Sequence, residues 1–258
     1  MPNPDYEKKK QFFEDLITLF GRQPVFEALK SEQIVPVRLH LADSNKPSTQ
    51  LEEMNRIAHE RNVEVRFHDR KALSRISKNG RQDQGVALDV RAPGYRRADE
   101  LLELTGNDIQ LVALDRITNP QNLGMIIRSV GASPMAGLLL ARKGNAPLDG
   151  LVIKASAGSL FKARVYHCDA LPDMIKRLQS AAFKIYGLDS TGDISIREVP
   201  SAGRFVFVLG NETHGLSSNI RELCDQLIQI PLMNDIESLN VSVAASLVSF
   251  RNVISASG

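Results

Sequence analysis

Two polar clusters in the second half of the chain each follow an apolar run that is predicted to form a strand. Phe205–Leu209 is apolar at every position, which is typical of a strand buried on both faces of a parallel sheet. Gly210 ends this run, and Asn211 and Glu212 follow it directly. Ligands usually bind just past the carboxyl ends of parallel strands. The pattern therefore predicts that Asn211 and Glu212 lie at a binding site.

The second cluster lies between another apolar run and the last predicted helix. Leu227–Leu232 is predicted to be a strand, and a polar stretch follows it. Ser238 and Asn240 then precede a helix, where such side chains can cap free backbone N–H groups. Taken singly, each feature is usually only a turn or a cap. Two such loops side by side at the carboxyl edge of one sheet instead predict a pocket.

Two common nucleotide-binding motifs do not fit the first cluster. Gly210–Gly215 has the glycine spacing of a P-loop, but Leu216 stands where the phosphate-binding lysine must be. This position excludes an NTPase of that kind. In addition, no G-x-G-x-x-G sequence follows a predicted strand, so an ordinary dinucleotide-binding fold is poorly supported.

A third polar motif lies upstream, at the predicted start of a helix. Asn119 and Pro120 suit the N-cap and the first helical position. They are followed by Asn122, Gly124 and Arg128 in the spacing N-x-G-x-x-x-R. The apolar residues around Arg128 would face the core, so its side chain is predicted to project towards the pocket. On its own, this arginine would be interpreted as a surface residue.

Together the three motifs resemble those of the SpoU (TrmH) family of RNA ribose methyltransferases, in the SPOUT superfamily. The resemblance rests on Asn119–Arg128 (NPQNLGMIIR), Leu209–Leu216 (LGNETHGL), Ile230–Leu232 (IPL) and Ser238–Ser246 (SLNVSVAAS). The segment KASAGSLFKA at Lys154–Ala163 also resembles the family's connecting element. One departure is Asn234-Asp235, which stands where many relatives have a glycine.

The resemblance implies transfer of a methyl group from S-adenosyl-L-methionine to a ribose 2′-hydroxyl of RNA. It implies that the cofactor binds to Leu209, Gly210, Asn211, Ile230, Leu232 and Leu239. It implies a catalytic set of Asn122, Arg128, Glu212, Ser238 and Asn240. Because an arginine is effectively always protonated, we expect Arg128 to bind phosphate and stabilise the forming alkoxide. Glu212 would orient Arg128 or Asn122.

The second half of the chain alternates predicted strands with predicted helices, which indicates an α/β domain with a parallel sheet. Strands are predicted at Ile109–Leu114, Gly137–Ala141, Ala163–His167, Lys184–Leu188, Phe205–Leu209 and Leu227–Ile230. Helices are predicted near Gln121–Gly131, Leu148–Ala157, Pro172–Ala182, Ser217–Leu223 and Asn240–Ser255. Spacing alone would suggest an unknotted fold, because knots are very rare. The resemblance instead implies a deep trefoil knot of the SPOUT type, and a homodimer formed through the first-motif helix and the C-terminal helix.

The first half of the chain is predicted to form a smaller α/β unit, which resembles the ribosomal-protein-like RNA-binding domain that often precedes a SpoU domain. Helices are predicted at Tyr6–Phe20, Pro24–Lys30, Gln50–Asn62 and Lys71–Lys78, and strands at Val35–Leu41, Val63–His68 and Gly85–Val90. Between Arg61 and Arg97 there are ten Lys or Arg against four Asp or Glu. Such clustering is what attraction to a phosphate backbone requires, although a mixed charge run is more often a solvated surface.

We therefore divide the chain into four segments. These are an N-terminal helical extension (1–20), a substrate RNA-binding domain (21–92), a linker with one short helix (93–107) and a SpoU methyltransferase domain (108–258).

Composition and length fit such an arrangement. A chain of 258 residues can bury one large or two modest cores. No apolar run reaches the roughly 18 residues of a membrane helix, and the N-terminus lacks the apolar core of a signal peptide. The two cysteines, Cys168 and Cys224, are predicted to be reduced thiols of a cytoplasmic protein, with neither a disulfide framework nor a metal site.

These observations favour one of three functions. The first is an RNA 2′-O-methyltransferase, with ribosomal RNA preferred over transfer RNA because of the accessory domain. The second is a non-catalytic RNA-binding or ribosome-assembly protein that retains the knotted fold; the presence of all five polar candidates argues against it. The third, a small-molecule methyltransferase, is disfavoured by the basic first domain.

Overall fold

The computed structural model describes residues 16–32, 34–92, 94–234 and 236–255. The described chain divides into two compact units: the first takes the described residues up to 92 together with residues 148–151, and the second takes residues 94–147 and the described residues from 152 onwards. None of the helices in these ranges is long and apolar enough to cross a membrane.

Where the structure describes it, from residue 16 onwards, the first unit is a four-stranded mixed sheet with three helices. Its elements are β1 (Leu16–Phe20), α1 (Arg22–Lys30), β2 (Val35–Ala42), α2 (Thr49–Glu60), β3 (Glu64–His68), α3 (Arg70–Ser77) and β4 (Val86–Arg91). The strand order is β1-β4-β2-β3; β2 and β3 are parallel, and β4 is antiparallel to both of its neighbours. The Ser48 and Asp69 side chains cap the amino ends of α2 and α3.

The helix predicted at Tyr6–Phe20 is wrong where the structure describes it. Leu16–Phe20 is a strand that pairs with β4, and Ile17 and Leu19 are buried while Thr18 is half-exposed. This alternation is the two-residue period of a strand, and the β-branched Ile17 and Thr18 favour it. The prediction was wrong because apolar residues at helical spacing continue through Leu16, Ile17 and Phe20, and these three residues also fit a buried strand. The rest of the predicted helix lies outside the described residues.

The second unit is built on eight parallel strands. They are β5 (Tyr95–Arg97), β6 (Ile109–Leu114), β7 (Gly137–Ala141), β8 (Val165–Cys168), β9 (Lys184–Leu188), β10 (Ile194–Ser195), β11 (Arg204–Leu209) and β12 (Gln226–Gln229). Their order is β10-β12-β9-β11-β6-β7-β8-β5. The helices are α4 (Pro120–Gly131), α5 (Gly150–Ala155), α6 (Leu171–Ser180), α7 (Ser218–Leu223) and α8 (Val241–Ser255). The predicted parallel-sheet α/β domain is therefore confirmed.

Two local predictions in this unit need correction. The segment 93–107, predicted to be a linker with one short helix, also contributes β5 to the edge of the sheet. Its short helix is present as a 3₁₀ helix at Ala98–Glu103, whose Leu101 is fully buried. The strand predicted at Leu227–Leu232 ends at Gln229, because Pro231 has no N–H group to donate to a neighbouring strand.

The centre of the sheet is buried as the sequence predicts. Every residue of β6 is buried, and so is every residue of β11 after Arg204. Phe207 of β11 stacks on Tyr186 of β9, with 5.6 Å between ring centroids. Helices α4 and α8 pack together, and the hydroxyls of Ser129 and Ser246 lie 2.8 Å apart. The trefoil knot stays a prediction.

Candidate active site

The loop that follows β11 is a tight turn held by its own first residue. The backbone groups of Asn211 and Gly215 bond each other in both directions, each over 2.9 Å. The Asn211 side-chain oxygen accepts the backbone N–H groups of Thr213 at 2.9 Å and His214 at 3.1 Å. These bonds fix the backbone between Asn211 and Gly215, so its polar groups are presented in one arrangement.

Gly210 lies where the backbone of this loop passes closest to the end of β11. A Cβ atom at Gly210 would lie 2.2 Å from the carbonyl carbon of Gly215 and 2.3 Å from the nitrogen of Leu216. Both are backbone atoms, which cannot move aside as a side chain can. The turn therefore requires glycine at this position.

A cavity of about 400 Å³ opens at the carboxyl ends of β9 and β11. All six predicted cofactor residues line it: Leu209, Gly210, Asn211, Ile230, Leu232 and Leu239. Glu212 and Ser238 line it as well, whereas Asn122, Arg128 and Asn240 do not. The structure thus gathers residues from the two predicted polar loops around one pocket, as expected from strands that end at the same edge of a sheet.

Three of the predicted catalytic residues are joined by direct hydrogen bonds. Asn122 Nδ2 donates to Glu212 Oε1 over 3.0 Å, and Asn240 Nδ2 donates to Asn122 Oδ1 over 3.1 Å. The other carboxylate oxygen of Glu212 accepts from Asn211 Nδ2 at 3.2 Å. Glu212 is therefore bound by two amide donors. This series of hydrogen bonds connects the cavity lining to α4 and α8.

A fourth residue, Ser242, fixes the orientation of the Asn240 amide in this series of hydrogen bonds. The hydroxyl and the backbone N–H of Ser242 both donate to Asn240 Oδ1, at 2.6 and 2.8 Å. With its oxygen occupied in this way, Asn240 must turn its Nδ2 group towards Asn122. Ser242 is 2% exposed, so its two donor groups are shielded from water.

Arg128 and Ser238 lie near this network but outside it. Arg128 is exposed on α4, does not line the cavity, and bonds no other residue in the described part of the chain. The sequence predicts that Arg128 turns away from the core, and the residue is indeed exposed. The sequence also predicts that it projects towards the pocket, but its side chain does not line the cavity of the same subunit. Ser238 lines the cavity with its hydroxyl exposed and without a hydrogen bond to any described residue.

Sequence reasoning missed two acidic residues that directly follow central strands. Asp115 follows β6; it is 5% exposed, and its Oδ2 accepts the backbone N–H of Ser217 at 2.6 Å. Asp189 follows β9 and lines the cavity. Burial opposes its ionisation, but hydrogen bonds from Thr191 and the charge of Arg221 hold the pKa of Asp189 below its usual value. The rule that found Asn211 and Glu212, a polar residue just past an apolar strand, would have found both.

The loop before α8 has a left-handed backbone conformation near the position where many relatives have a glycine. Asn234, which stands near the position of the expected glycine, has a φ of 59°. Asparagine adopts this left-handed conformation more readily than other residues with a side chain. Its neighbour Asp235 lies outside the described residues.

In the ranges that the structure describes, no group of three or more His, Cys, Asp or Glu side chains could hold a metal ion. Burial raises the pKa of Cys168 and of Cys224 to about 12, so both thiols stay protonated at neutral pH. The site consists of amides, hydroxyls, the carboxylates of Asp189, Glu212 and Glu237, and backbone groups around a partly apolar cavity.

The fold and the site define an α/β protein with a small-molecule pocket at the carboxyl edge of a parallel sheet. Two family models match the sequence of this chain. The SpoU rRNA Methylase family matches residues 110–250, and the model described as RNA 2′-O ribose methyltransferase substrate binding matches residues 18–96. The chain belongs to the SpoU rRNA methylase family, and the resemblance drawn from its motifs is confirmed.

Curated relatives extend over most of the chain. A protein of Mycolicibacterium vanbaalenii named an uncharacterized tRNA/rRNA methyltransferase is 35% identical over 238 residues, which are 91% of this chain and 75% of the relative. A protein of the same name from Mycolicibacterium paratuberculosis is 32% identical over 237 residues, covering 91% of this chain and 76% of that one.

Solved structures share the fold at lower identity. The SpoU methyltransferase AviRb of Streptomyces viridochromogenes, in complex with AdoMet, aligns with a TM-score of 0.64 and 24% identity, over 99% of this chain and 95% of that one. An AdoMet-bound rRNA methyltransferase of Sinorhizobium meliloti aligns with a TM-score of 0.63 and 22% identity, over 99% and 96% of the two chains.

Proposed function

We propose that the protein transfers a methyl group from S-adenosyl-L-methionine to a ribose 2′-hydroxyl of RNA, and that ribosomal RNA rather than transfer RNA is its substrate. The observation that carries this proposal is the hydrogen-bonded chain Asn240–Asn122–Glu212 beside the cavity. It joins all three sequence motifs of the family at one point beside the cavity.

The cavity suits the proposed cofactor in size and in lining. A volume of about 400 Å³ falls within the range typical of small-molecule sites. The side chains of Leu209, Ile230, Leu232 and Leu239 offer an apolar slot for an adenine ring. Gly210 keeps the backbone accessible, because any larger residue would displace the Gly215–Leu216 backbone. When bound there, S-adenosylmethionine supplies an electrophilic methyl group on its sulfonium sulfur.

The residues of this chain would then position the ribose hydroxyl. Asn122 uses one amide hydrogen on Glu212 and its oxygen on Asn240, so its remaining Nδ2 hydrogen points in a fixed direction. We assign that hydrogen and the Ser238 hydroxyl to the RNA. Because charge moves little in a methyl transfer from a sulfonium, positioning supplies much of the rate.

Arg128 would bind the phosphate beside the target ribose and stabilise the alkoxide that forms as the 2′-hydroxyl loses its proton to water. The ribose oxygen would then bond the methyl carbon as the sulfur–methyl bond breaks, with the bonding electron pair left on sulfur. A guanidinium keeps its proton at physiological pH and matches the geometry of a phosphate with two parallel N–H groups. In the described part of the chain, the Arg128 side chain has no partner that would compete for these groups.

We further propose that the protein acts as a homodimer through α4 and α8. Met125 on α4 is 48% exposed, and Val243 and Leu247 on α8 are 45% and 38% exposed. Large exposed apolar side chains on two helices that pack together are typical of an interface. Arg128 lies one turn from Met125, so a dimer through this face would place it next to the partner subunit and complete the site there.

The first unit would bind the RNA through α3 and the turn that follows it. Its five basic residues are all exposed: Arg70, Lys71, Arg75, Lys78 and Arg81. On the opposite side of α3, Leu73 is fully buried, so the helix presents a basic face to solvent. A face of this kind attracts a phosphate backbone in a salt-dependent way. We assign the protein to the cytoplasm because ribosomal and transfer RNA are found there.

The experiment that tests the proposal uses purified protein, radiolabelled S-adenosylmethionine and separate pools of unmodified ribosomal and transfer RNA. After digestion to nucleosides, we expect label in a 2′-O-methylnucleoside from the ribosomal pool. Label from the transfer RNA pool alone would keep the reaction and correct the substrate. If neither pool is labelled and S-adenosylmethionine does not bind, the non-catalytic RNA-binding alternative replaces this proposal.

A further inference from the structure

An exposed arginine outside the set of residues described so far is hydrogen-bonded to the cavity-lining Asn211. Arg116 follows β6 and Asp115, and it has a φ of 60°. A residue with a long side chain rarely adopts this left-handed conformation, and it persists only where surrounding contacts enforce it. Those contacts connect Arg116 to the cavity.

Both the backbone and the side chain of Arg116 are anchored. Its carbonyl oxygen accepts from Asn211 Nδ2 at 2.8 Å, and Asn211 lines the cavity. Its Nε lies 3.3 Å from Oδ1 of the buried Asp115, whose other oxygen holds the backbone of Ser217. The two terminal nitrogens of the guanidinium have no partner among the described residues. The side chain is 44% exposed, so these nitrogens can reach a ligand.

The loop after β7 is tied to the same place. Asn145 Oδ1 accepts the backbone N–H of Ile117 at 2.7 Å, and its Nδ2 donates to the carbonyl of Ala141 at 3.1 Å. The backbone of Ala146 donates to the carbonyl of Ile117 over 2.7 Å. One asparagine thus links the loops that follow two neighbouring strands.

The loop that follows β7 contacts Arg116 and carries two further positively charged residues. A Cβ atom at Gly144 would lie 3.5 Å from Arg116 Cγ, so the two loops are in contact. The two residues before Gly144 are Arg142 and Lys143, and both are exposed. Arg142 is held in place by His167, whose Nδ1 accepts from Arg142 Nε over 3.0 Å. The two linked loops therefore carry three exposed cations, which we call the basic rim (Arg116, Arg142 and Lys143).

The chemistry of the basic rim fits a polyanion. A guanidinium anchored at Nε offers a fork of donors that matches the oxygens of a phosphate diester. The rim lies on the loops that follow the neighbouring strands β6 and β7, and all three of its cations are exposed. An exposed row of cations suits an extended chain of phosphates better than an enclosed anion.

We propose that Arg116 and Lys143 form a binding site for the phosphate backbone of the substrate RNA, next to the nucleotide that enters the cavity. This inference rests on the proposed function and adds the residues that hold the strand flanking the target. Arg116 also connects RNA to cofactor, because its carbonyl bonds the Asn211 side chain that lines the cavity.

Two substitutions at Arg116 distinguish the effect of its charge from the effect of its backbone conformation. Arg116→Gln removes the charge, and Arg116→Gly removes the side chain while suiting the left-handed backbone. Lys143→Gln tests the second loop. Lys176→Gln is the matched control, because Lys176 is exposed on α6 and lies far along the chain from both loops. The probe is fluorescein-labelled, unmodified ribosomal RNA, titrated at several salt concentrations, with S-adenosylmethionine titrated separately.

We expect both Arg116 variants to weaken RNA binding about tenfold and to lower the slope of log Kd against log salt by about 1. Lys143→Gln should have a similar effect, Lys176→Gln none, and the affinity for S-adenosylmethionine should not change in any variant. In turnover assays, KM for RNA should rise while kcat stays within about twofold.

Two results would overturn the inference. One is RNA binding by Arg116→Gln and Arg116→Gly that equals that of the control variant in affinity and salt slope. The other is a loss of S-adenosylmethionine affinity in both Arg116 variants, which would show that the side chain only supports the Asn211 loop. Failure of the proposed function gives a different pattern: wild-type protein would not methylate RNA, but its RNA binding would still depend on Arg116.

Discussion

Asn122 and Glu212 are 90 residues apart in the sequence, and Asn122 Nδ2 donates to Glu212 Oε1 over 3.0 Å. The bond joins the first turn of α4 to the loop after β11. Because Asn211 donates to the other oxygen of the same carboxylate, both oxygens of Glu212 are used as acceptors. A carboxylate that accepts from two amides is a rigid support for the residues around it.

Replacing Glu212 with glutamine tests this support. Glutamine has one acceptor where glutamate has two, so its NH₂ group would face an amide donor of Asn122 or Asn211. We expect kcat on RNA to fall about 10- to 100-fold, as for the loss of one charge-assisted hydrogen bond, with RNA affinity nearly unchanged. Steady-state kinetics with RNA and S-adenosylmethionine measure the effect.

Glu222→Gln is the control for this variant, because Glu222 is exposed on α7 and has no part in the network. Equal kcat values for the two glutamine variants would show that the Asn122–Glu212 bond does not contribute to catalysis.

Replacing Arg128 with lysine keeps the charge but removes the planar fork of donors. We expect RNA binding to fall by no more than a few-fold, while turnover falls about 100-fold or more, as for the loss of a donor to a forming oxyanion. The melting temperature should not change, since Arg128 is exposed and bonds no other described residue. Near-normal turnover by this variant would remove the role that we assign to Arg128.

Alanine at Gly210 should weaken cofactor binding. Its methyl group would lie 2.2 Å from the backbone of Gly215, so the loop that lines the cavity must shift. We expect a loss of about 1–3 kcal/mol in stability, as for overpacking elsewhere, and at least a tenfold weaker affinity for S-adenosylmethionine by calorimetry. Gly106→Ala serves as the control for cofactor affinity: its backbone φ of 119° also strains a residue with a side chain, but Gly106 does not line the cavity and nothing lies within 4 Å of the added methyl group. It should therefore lower stability without changing the affinity for S-adenosylmethionine. Wild-type cofactor affinity in the Gly210 variant would contradict the proposed pocket.

A charge on the apolar face of α8 should separate the dimer. Leu247 is 38% exposed, and an aspartate in its place would be costly to bury in an interface. We expect Leu247→Asp to be a folded monomer by light scattering, with reduced turnover because Arg128 would no longer meet a partner subunit. Wild-type protein that is monomeric at micromolar concentration would remove the dimer from the account.

Stability should fall in mild acid because of His167. Burial, followed by the nearby charge of Arg142, lowers the pKa of His167 to about 4 from its usual 6.5. The unfolded chain therefore binds a proton at a higher pH than the folded protein does, and stability is lost as the pH falls from about 6.5 towards 4. The loss is at most about 3 kcal/mol for a shift of this size.

Thermal unfolding between about pH 7 and pH 4.5 measures this effect. His167→Gln, which keeps an acceptor for Arg142, should show a shallower decline than wild type, and the exposed His59→Gln should not. Identical declines in wild type and His167→Gln would show that other groups dominate the acid sensitivity.

The parts of the site that the sequence predicts are those that follow a simple local rule. An apolar strand followed by a glycine and polar residues identified Gly210, Asn211 and Glu212, and the structure places all three at the cavity. The same rule applies to Asp115 and Asp189, which were overlooked because neither belongs to a family motif. The helix of the first motif was predicted from its cap and its apolar spacing, and both Asn119 and Pro120 take the expected positions.

What the sequence did not predict depends on partners far along the chain. Strand β1 looked like a helix end because its strand character comes from pairing with β4, more than sixty residues away. Strand β5 has only three residues and is specified by β8. Helical periodicity showed that Arg128 turns away from the core, but it could not show which of the exposed directions the side chain takes.

The measurement that tests the central claim most directly is the position of the transferred methyl group within the RNA. RNA labelled by the protein is digested with alkali, which cleaves only where a ribose 2′-hydroxyl is free to attack the neighbouring phosphate. We predict that all transferred label is recovered in alkali-resistant dinucleotides, and that Glu212→Gln reduces their yield without changing their identity. Label recovered in single nucleotides would place the methyl group on a base and would contradict the account.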